Sequence, residues 1–130
     1  MPAEAQALGE LRAAVLRGDW TGAARAATAG LAEHADSLEL RRALAGIHRQ
    51  SGRSTEAESL LREVLARAPG DFAAAFTLAE MLIEAGRVAA AAEILGACFA
   101  LGAHDAEFAI RAIELLDEAG RKRTAADIAE

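Results

Sequence analysis

Apolar residues along this chain recur in steps of three and four. Between Leu38 and Ser51 they fall at Leu40, Leu44 and Ile47, and between Ser54 and Arg67 at Leu60, Leu61, Val64 and Leu65. Such steps line one face of an α-helix, so both stretches read as amphipathic helices with Gly52 at their junction. The arrangement repeats: Gly18, Gly52, Gly86 and Gly120 stand 34 residues apart, and an alanine follows each by five positions (Ala23, Ala57, Ala91, Ala125). A glycine there can take the left-handed backbone that ends a helix and reverses the chain. An alanine there lets the two helices of one hairpin approach closely. Ser37, Asp71 and Asp105 carry the same 34-residue spacing. Each can cap the following helix by accepting a hydrogen bond from a free N–H of its first turn. The pattern predicts helices near 4–17, 20–33, 38–51, 54–67, 72–85, 88–101, 106–119 and 122–130.

A fixed period of this length marks a repeat solenoid, whose units bury one face only by stacking on a neighbour. The expected fold is all-α, one domain over 1–130, with units near 4–37, 38–71 and 72–105 and an incomplete fourth at 106–130. Composition agrees: 53% of residues are hydrophobic, 4% are aromatic, and alanine leads the apolar set, which suits helices and suits strands poorly. A net charge of −6 and a pI near 5.1 argue against nucleic acid or an anionic membrane as partner. The stretch Val88–Ala103 carries one charge, Glu93, but is too short and too rich in weakly apolar residues to span a bilayer. The N-terminus lacks the basic start and apolar run of a secretory signal, and the single cysteine excludes an internal disulfide. A cytoplasmic protein is the expectation.

The phrase Gly18-Asp19-Trp20 with Ala23, then Gly52, Ala57 and Pro69, Gly86 with Ala91, and the large-then-small pairs Leu44-Ala45 and Leu78-Ala79 resemble the tetratricopeptide repeat family. The resemblance covers nearly the whole chain. It implies a right-handed superhelical solenoid of helix-turn-helix repeats, three full and a partial fourth, acting as a protein-interaction module. Glu10 departs from the family pattern, which prefers a large apolar residue there. The resemblance also implies a concave groove lined by the first helix of each unit. Aligned on the glycines, the groove residues are Arg12, Arg42, Gly46 and Arg49, then Phe76, Thr77, Glu80, Ile83 and Glu84, then Glu107, Ile110, Arg111, Glu114, Asp117 and Glu118. The expected trough is positive in its first half and negative in its second, with Phe76, Ile83 and Ile110 as apolar floor. A peptide or helix with an acidic part, a hydrophobic anchor and a basic part complements it. The Lys/Asn/Arg clamp with which some relatives bind chaperone tails is replaced here by Leu8, Arg12, Ala43, Ala73 and Thr77.

Chemical sites are weaker. Cys98 with His104 offers a nucleophile and a base, but Cys98 aligns with Val64 one period earlier, a packing position. His34, His48 and His104 never reach metal-ligand spacing, and His48 aligns with Leu82 and Leu116. The pair Glu80 and Glu84, and the group Glu114, Asp117 and Glu118, lack the loop oxygens of a calcium site. The glycines, separated by whole helices, form no phosphate loop. The basic run Gly120-Arg121-Lys122-Arg123 reads as a turn between helices. No cofactor, metal or catalytic residue is expected. Two further readings stand beside the interaction module. One is the recruiting segment of a longer enzyme, as in the bacterial sulfotransferases and hydroxylases that resemble this chain in carrying such repeats, with the chain continuing past Glu130. The other is self-association through an uncovered C-terminal end.

Overall fold

The computed structural model describes the backbone of residues 2–101 and 106–129, and the side chains of 4–101, 106–107 and 109–121. Among the described residues there are seven helices and no strand: α1 (Pro2–Leu16), α2 (Trp20–Glu33), α3 (Leu38–Gln50), α4 (Ser54–Arg67), α5 (Phe72–Glu84), α6 (Val88–Ala100) and α7 (Ala106–Ala129). The first six boundaries follow the periodic signals closely. Gly18, Gly52 and Gly86 have φ of 74°, 78° and 80°. At each, the glycine N–H donates three residues back (Val15, Arg49, Ile83) and the next N–H donates five back (Ala14, His48, Leu82), at 2.7–3.2 Å. This paired pattern is the Schellman turn, which satisfies the last carbonyls of the preceding helix. Helix starts are capped as the spacing predicts: Ser37 Oγ accepts from Leu40 N at 3.1 Å and Asp71 Oδ1 from Ala74 N at 3.1 Å. Asp19 caps α2 in the same way, accepting from Gly22 N at 2.9 Å. Asp105, Gly102, Ala103 and His104 lie outside the described residues.

The chain divides into two compact units, Met1–Val64 and Leu65–Glu130. In the first, α1 packs on α2 and α2 on α3. Its core comprises Ala7, Leu8, Leu11 and Ala14 of α1, Ala23 and Ala27 of α2, and Leu40, Leu44 and Ile47 of α3. Leu60 of α4 packs against this cluster. Full burial of a side chain such as Leu40 contributes about 1.5–3 kcal/mol. The cap Ser37 is itself held, donating its hydroxyl to Glu4 Oε1 at 2.6 Å. Arg41 is buried, its Nε 3.3 Å from Glu63 Oε2. Sequence periodicity gave no sign of that pair.

In the second unit α5 packs on α6, and both meet α7. Ala74, Ala75, Leu78, Ala79 and Leu82 of α5, Ala91, Leu95 and Cys98 of α6, and Ala112 of α7 are almost wholly buried. The three hairpin alanines whose side chains are described, Ala23, Ala57 and Ala91, are all 0% exposed, as the close-approach argument requires. Ala125 and Ile128 have side chains outside those described.

One expectation is overturned. Instead of two helices at 106–119 and 122–130, a single helix runs from Ala106 to Ala129, with Gly120 inside it. Gly120 is absent from the left-handed glycines. The basic run Gly120-Arg121-Lys122-Arg123 is therefore helical rather than a turn, and Arg121 pairs with Asp117 one turn back, Nη2 to Oδ2 at 2.6 Å. Glycine permits the left-handed turn without compelling it. The reversal at Gly86 is favoured by α6, whose Ala91, Ile94, Leu95 and Cys98 offer a face to bury, whereas after Gly120 only Ile128 is large and apolar. Straight continuation keeps the helical hydrogen bonds at a glycine cost of about 1 kcal/mol.

Candidate functional site

Some of the residues expected in a groove on α5 and α7 lie together in the second unit. Phe72, Phe76 and Glu80 recur every four residues along one stripe of α5, with Ala73 and Thr77 one step around. Facing them on α7 are Glu107 and Arg111, again four apart. These seven residues line an open cleft of about 500 Å³. The Arg111 guanidinium lies over the Phe76 ring, 4.6 Å from its centroid, within the range of a cation–π contact. Further along, Glu80, Ile83, Glu84, Leu115, Glu118 and Ala119 line a second hollow of about 220 Å³, and Glu80 borders both. The cleft thus offers aromatic surface and a hydroxyl under a rim of carboxylates broken by one guanidinium. That combination suits an apolar side chain carried beside a cation.

Of the residues expected here, Phe76, Thr77, Glu80, Glu107 and Arg111 line the larger cleft, and Ile83, Glu84 and Glu118 the smaller. Ile110, 55% exposed, and Glu114 and Asp117, also exposed, line neither. Phe72 and Leu115 line the clefts but escaped the sequence reading. Both lie at helical spacing from expected residues (Phe76, Arg111), so the stripe itself was the signal.

In the first unit the expected arginines have separate surroundings. Arg12 is exposed on α1 and its Nη2 sits 3.5 Å from Glu39 Oε1 of α3. Arg42 and Arg49 are half-buried on α3, as is Gly46 between them. The Arg12–Glu39 contact dilutes the positive character expected there, although exposed pairs of this kind are worth at most about 1 kcal/mol.

Cys98 sits in the packing of α6 at 1% exposure, and burial pushes its thiol above the ordinary range, with the Asp71 carboxylate adding to the rise. A thiol held protonated is a poor nucleophile. His48, aligned with the buried Leu82 and the half-buried Leu116, is itself half-buried. Among the described residues no group of three or more His, Cys, Asp or Glu is placed to hold a metal ion, and no helix is long and apolar enough to cross a membrane.

No curated protein matches the chain at a significant level. The tetratricopeptide repeat profile matches residues 14–82 and again 49–109. Together these matches take in most of the sequence, including all three Schellman turns. With its hairpins of paired helices, left-handed turn glycines and buried small residues at one period, the chain belongs to the tetratricopeptide repeat family.

Proposed function

We propose that this protein is a non-catalytic interaction module that holds a peptide or helix of a partner protein against the leading helices of its repeats. The observation that carries the proposal is the cleft between α5 and α7, where Phe76 and Arg111 form a preassembled aromatic and cationic floor edged by Glu80 and Glu107. A partner side chain of Leu, Ile or Phe type anchors over Phe76, and a neighbouring Lys or Arg meets the carboxylates. Within the second unit, Ile83, Glu84, Ile110 and Glu114 are assigned to the apolar and acidic surroundings of this cleft; within the first, Arg12, Arg42 and Arg49 are assigned separately to acidic side chains of a partner. Repeats of this family generally mediate protein interactions, and fold alone names no partner.

Peptide display against the intact chain tests the reading. Enriched sequences are expected to share one large apolar residue next to a basic one. Phe76→Ala is expected to weaken the best of them by more than about 1 kcal/mol, roughly fivefold. Enrichment without such a pattern, or equal affinity of the Phe76→Ala variant, would overturn the assignment.

A further inference from the structure

The largest cleft described in the first unit holds none of the expected groove residues. It measures about 610 Å³ and runs along the outer face of α2, closed on one side by the end of α3 and the turn that follows it. Trp20 and several alanines of α2 form its apolar part. Its ionisable residues are Arg25, His48 and Arg53, and none of its lining residues is acidic. In a chain of net charge −6 that exclusion of carboxylates is the unusual feature. Among the described residues Arg12, Arg41, Arg62 and Arg121 each have a carboxylate at ion-pair distance, whereas Arg25 and Arg53 have none.

We propose that this cleft is a second docking surface, which takes an extended acidic peptide segment in which carboxylates alternate with apolar side chains. The guanidiniums of Arg25 and Arg53 receive the carboxylates, which they suit by their forked donor geometry. Trp20 receives an apolar side chain. Ser51 donates its hydroxyl to Ile47 O at 2.9 Å, which leaves its oxygen able to accept a peptide N–H. Size separates a peptide from a small anion. From Trp20 to Ala32 the cleft follows about 18 Å of helix, the reach of five or six extended residues. A lone phosphate or carboxylate leaves the Trp20 end unused.

Trp20 is the only tryptophan and the chain has no tyrosine, so its emission reports on this cleft alone. The 130-residue chain is titrated with a hexapeptide alternating leucine with aspartate or glutamate, with the counterpart carrying asparagine and glutamine, and with inorganic phosphate. The acidic peptide is expected to shift Trp20 emission saturably and to bind at least tenfold more tightly than either control. Arg25→Glu combined with Arg53→Glu is expected to remove that preference. Arg25→Gln with Arg53→Gln, a milder change at exposed positions, is expected to weaken binding severalfold with unchanged circular dichroism. Four results overturn the proposal: no saturable shift, equal binding of the neutral peptide, phosphate binding as tightly as the peptide, or unaltered affinity in the charge-reversed variant. A charge-dependent dimer of the protein alone in sedimentation, abolished by the same variant, also overturns it, since the occupant is then a second copy.

Discussion

Gly30 stands where three helices of the first unit converge: a Cβ there would lie 2.7 Å from Ala7 Cβ and 3.0 Å from Leu40 Cδ1. One and two periods later the same position is held by Val64 and Cys98, 0% and 1% exposed. The alignment that marked Cys98 as a packing residue thus holds in the structure. It did not show that the first copy must be glycine, because closeness of approach depends on neighbours distant in sequence. The burial of Cys98 has a measurable effect. An unfolded thiol titrates near about 8.5, while the folded one is pushed higher by desolvation and by Asp71. Below the unfolded value both states keep the proton, and the thiol contributes no pH slope. Above it the unfolded chain releases a proton that the native state retains, so stability falls as pH rises, by up to about 1.4 kcal/mol per unit until the folded thiol also titrates. Urea midpoints between pH 7 and pH 10 are expected to fall more steeply for the natural protein than for Cys98→Ala. The variant itself loses about 1 kcal/mol at pH 7. Parallel slopes would show that the thiol is not perturbed.

Gly52 and Gly120 occupy the same place in the repeat and have opposite surroundings. The first has φ of 78° and closes a Schellman turn, and the second lies within α7. Alanine at position 52 is forced into a left-handed conformation at about 1–2 kcal/mol. At position 120 alanine removes a helix-interior glycine and is expected to stabilise by about 0.5–1 kcal/mol. Chemical denaturation of the two single variants checks the pair, and a loss of stability at both would contradict the continuous helix. The hairpins were readable because each carries three agreeing marks: the turn glycine, the alanine five later, and an apolar face on both helices. At Gly120 the first two marks are present and the third is thin. Spacing therefore named the residue without deciding its conformation. The buried Arg41 was unreadable for a related reason, since its partner Glu63 lies on another helix, 22 residues away.

Charge is unevenly shared between the two units. Residues 1–64 hold eight Arg against nine Asp and Glu, net −1, and residues 65–130 hold six Lys and Arg against eleven, net −5. The acidic excess was readable at once, but the basic cleft of the first unit was not. Trp20, Arg25 and Arg53 follow no common period, and two different elements bring them together. Their ligands call for opposite charge, so the two clefts are expected to act as separate sites. Phe76→Ala is expected to leave the acidic-peptide titration of Trp20 unchanged within twofold. Both affinities are expected to fall on raising salt from about 50 to 300 mM, as screening shortens the reach of exposed charges. Transfer of the Phe76→Ala effect to Trp20 would show coupling between the sites. The Schellman turns bear on how such sites arise. In each, the residue after the glycine serves folding through its backbone N–H, so the turn itself makes no demand on its side chain. Asp19 uses its side chain to cap α2, whereas Arg53 borders a cleft. Recognition can therefore diverge from copy to copy at this position with no change in the path of the chain.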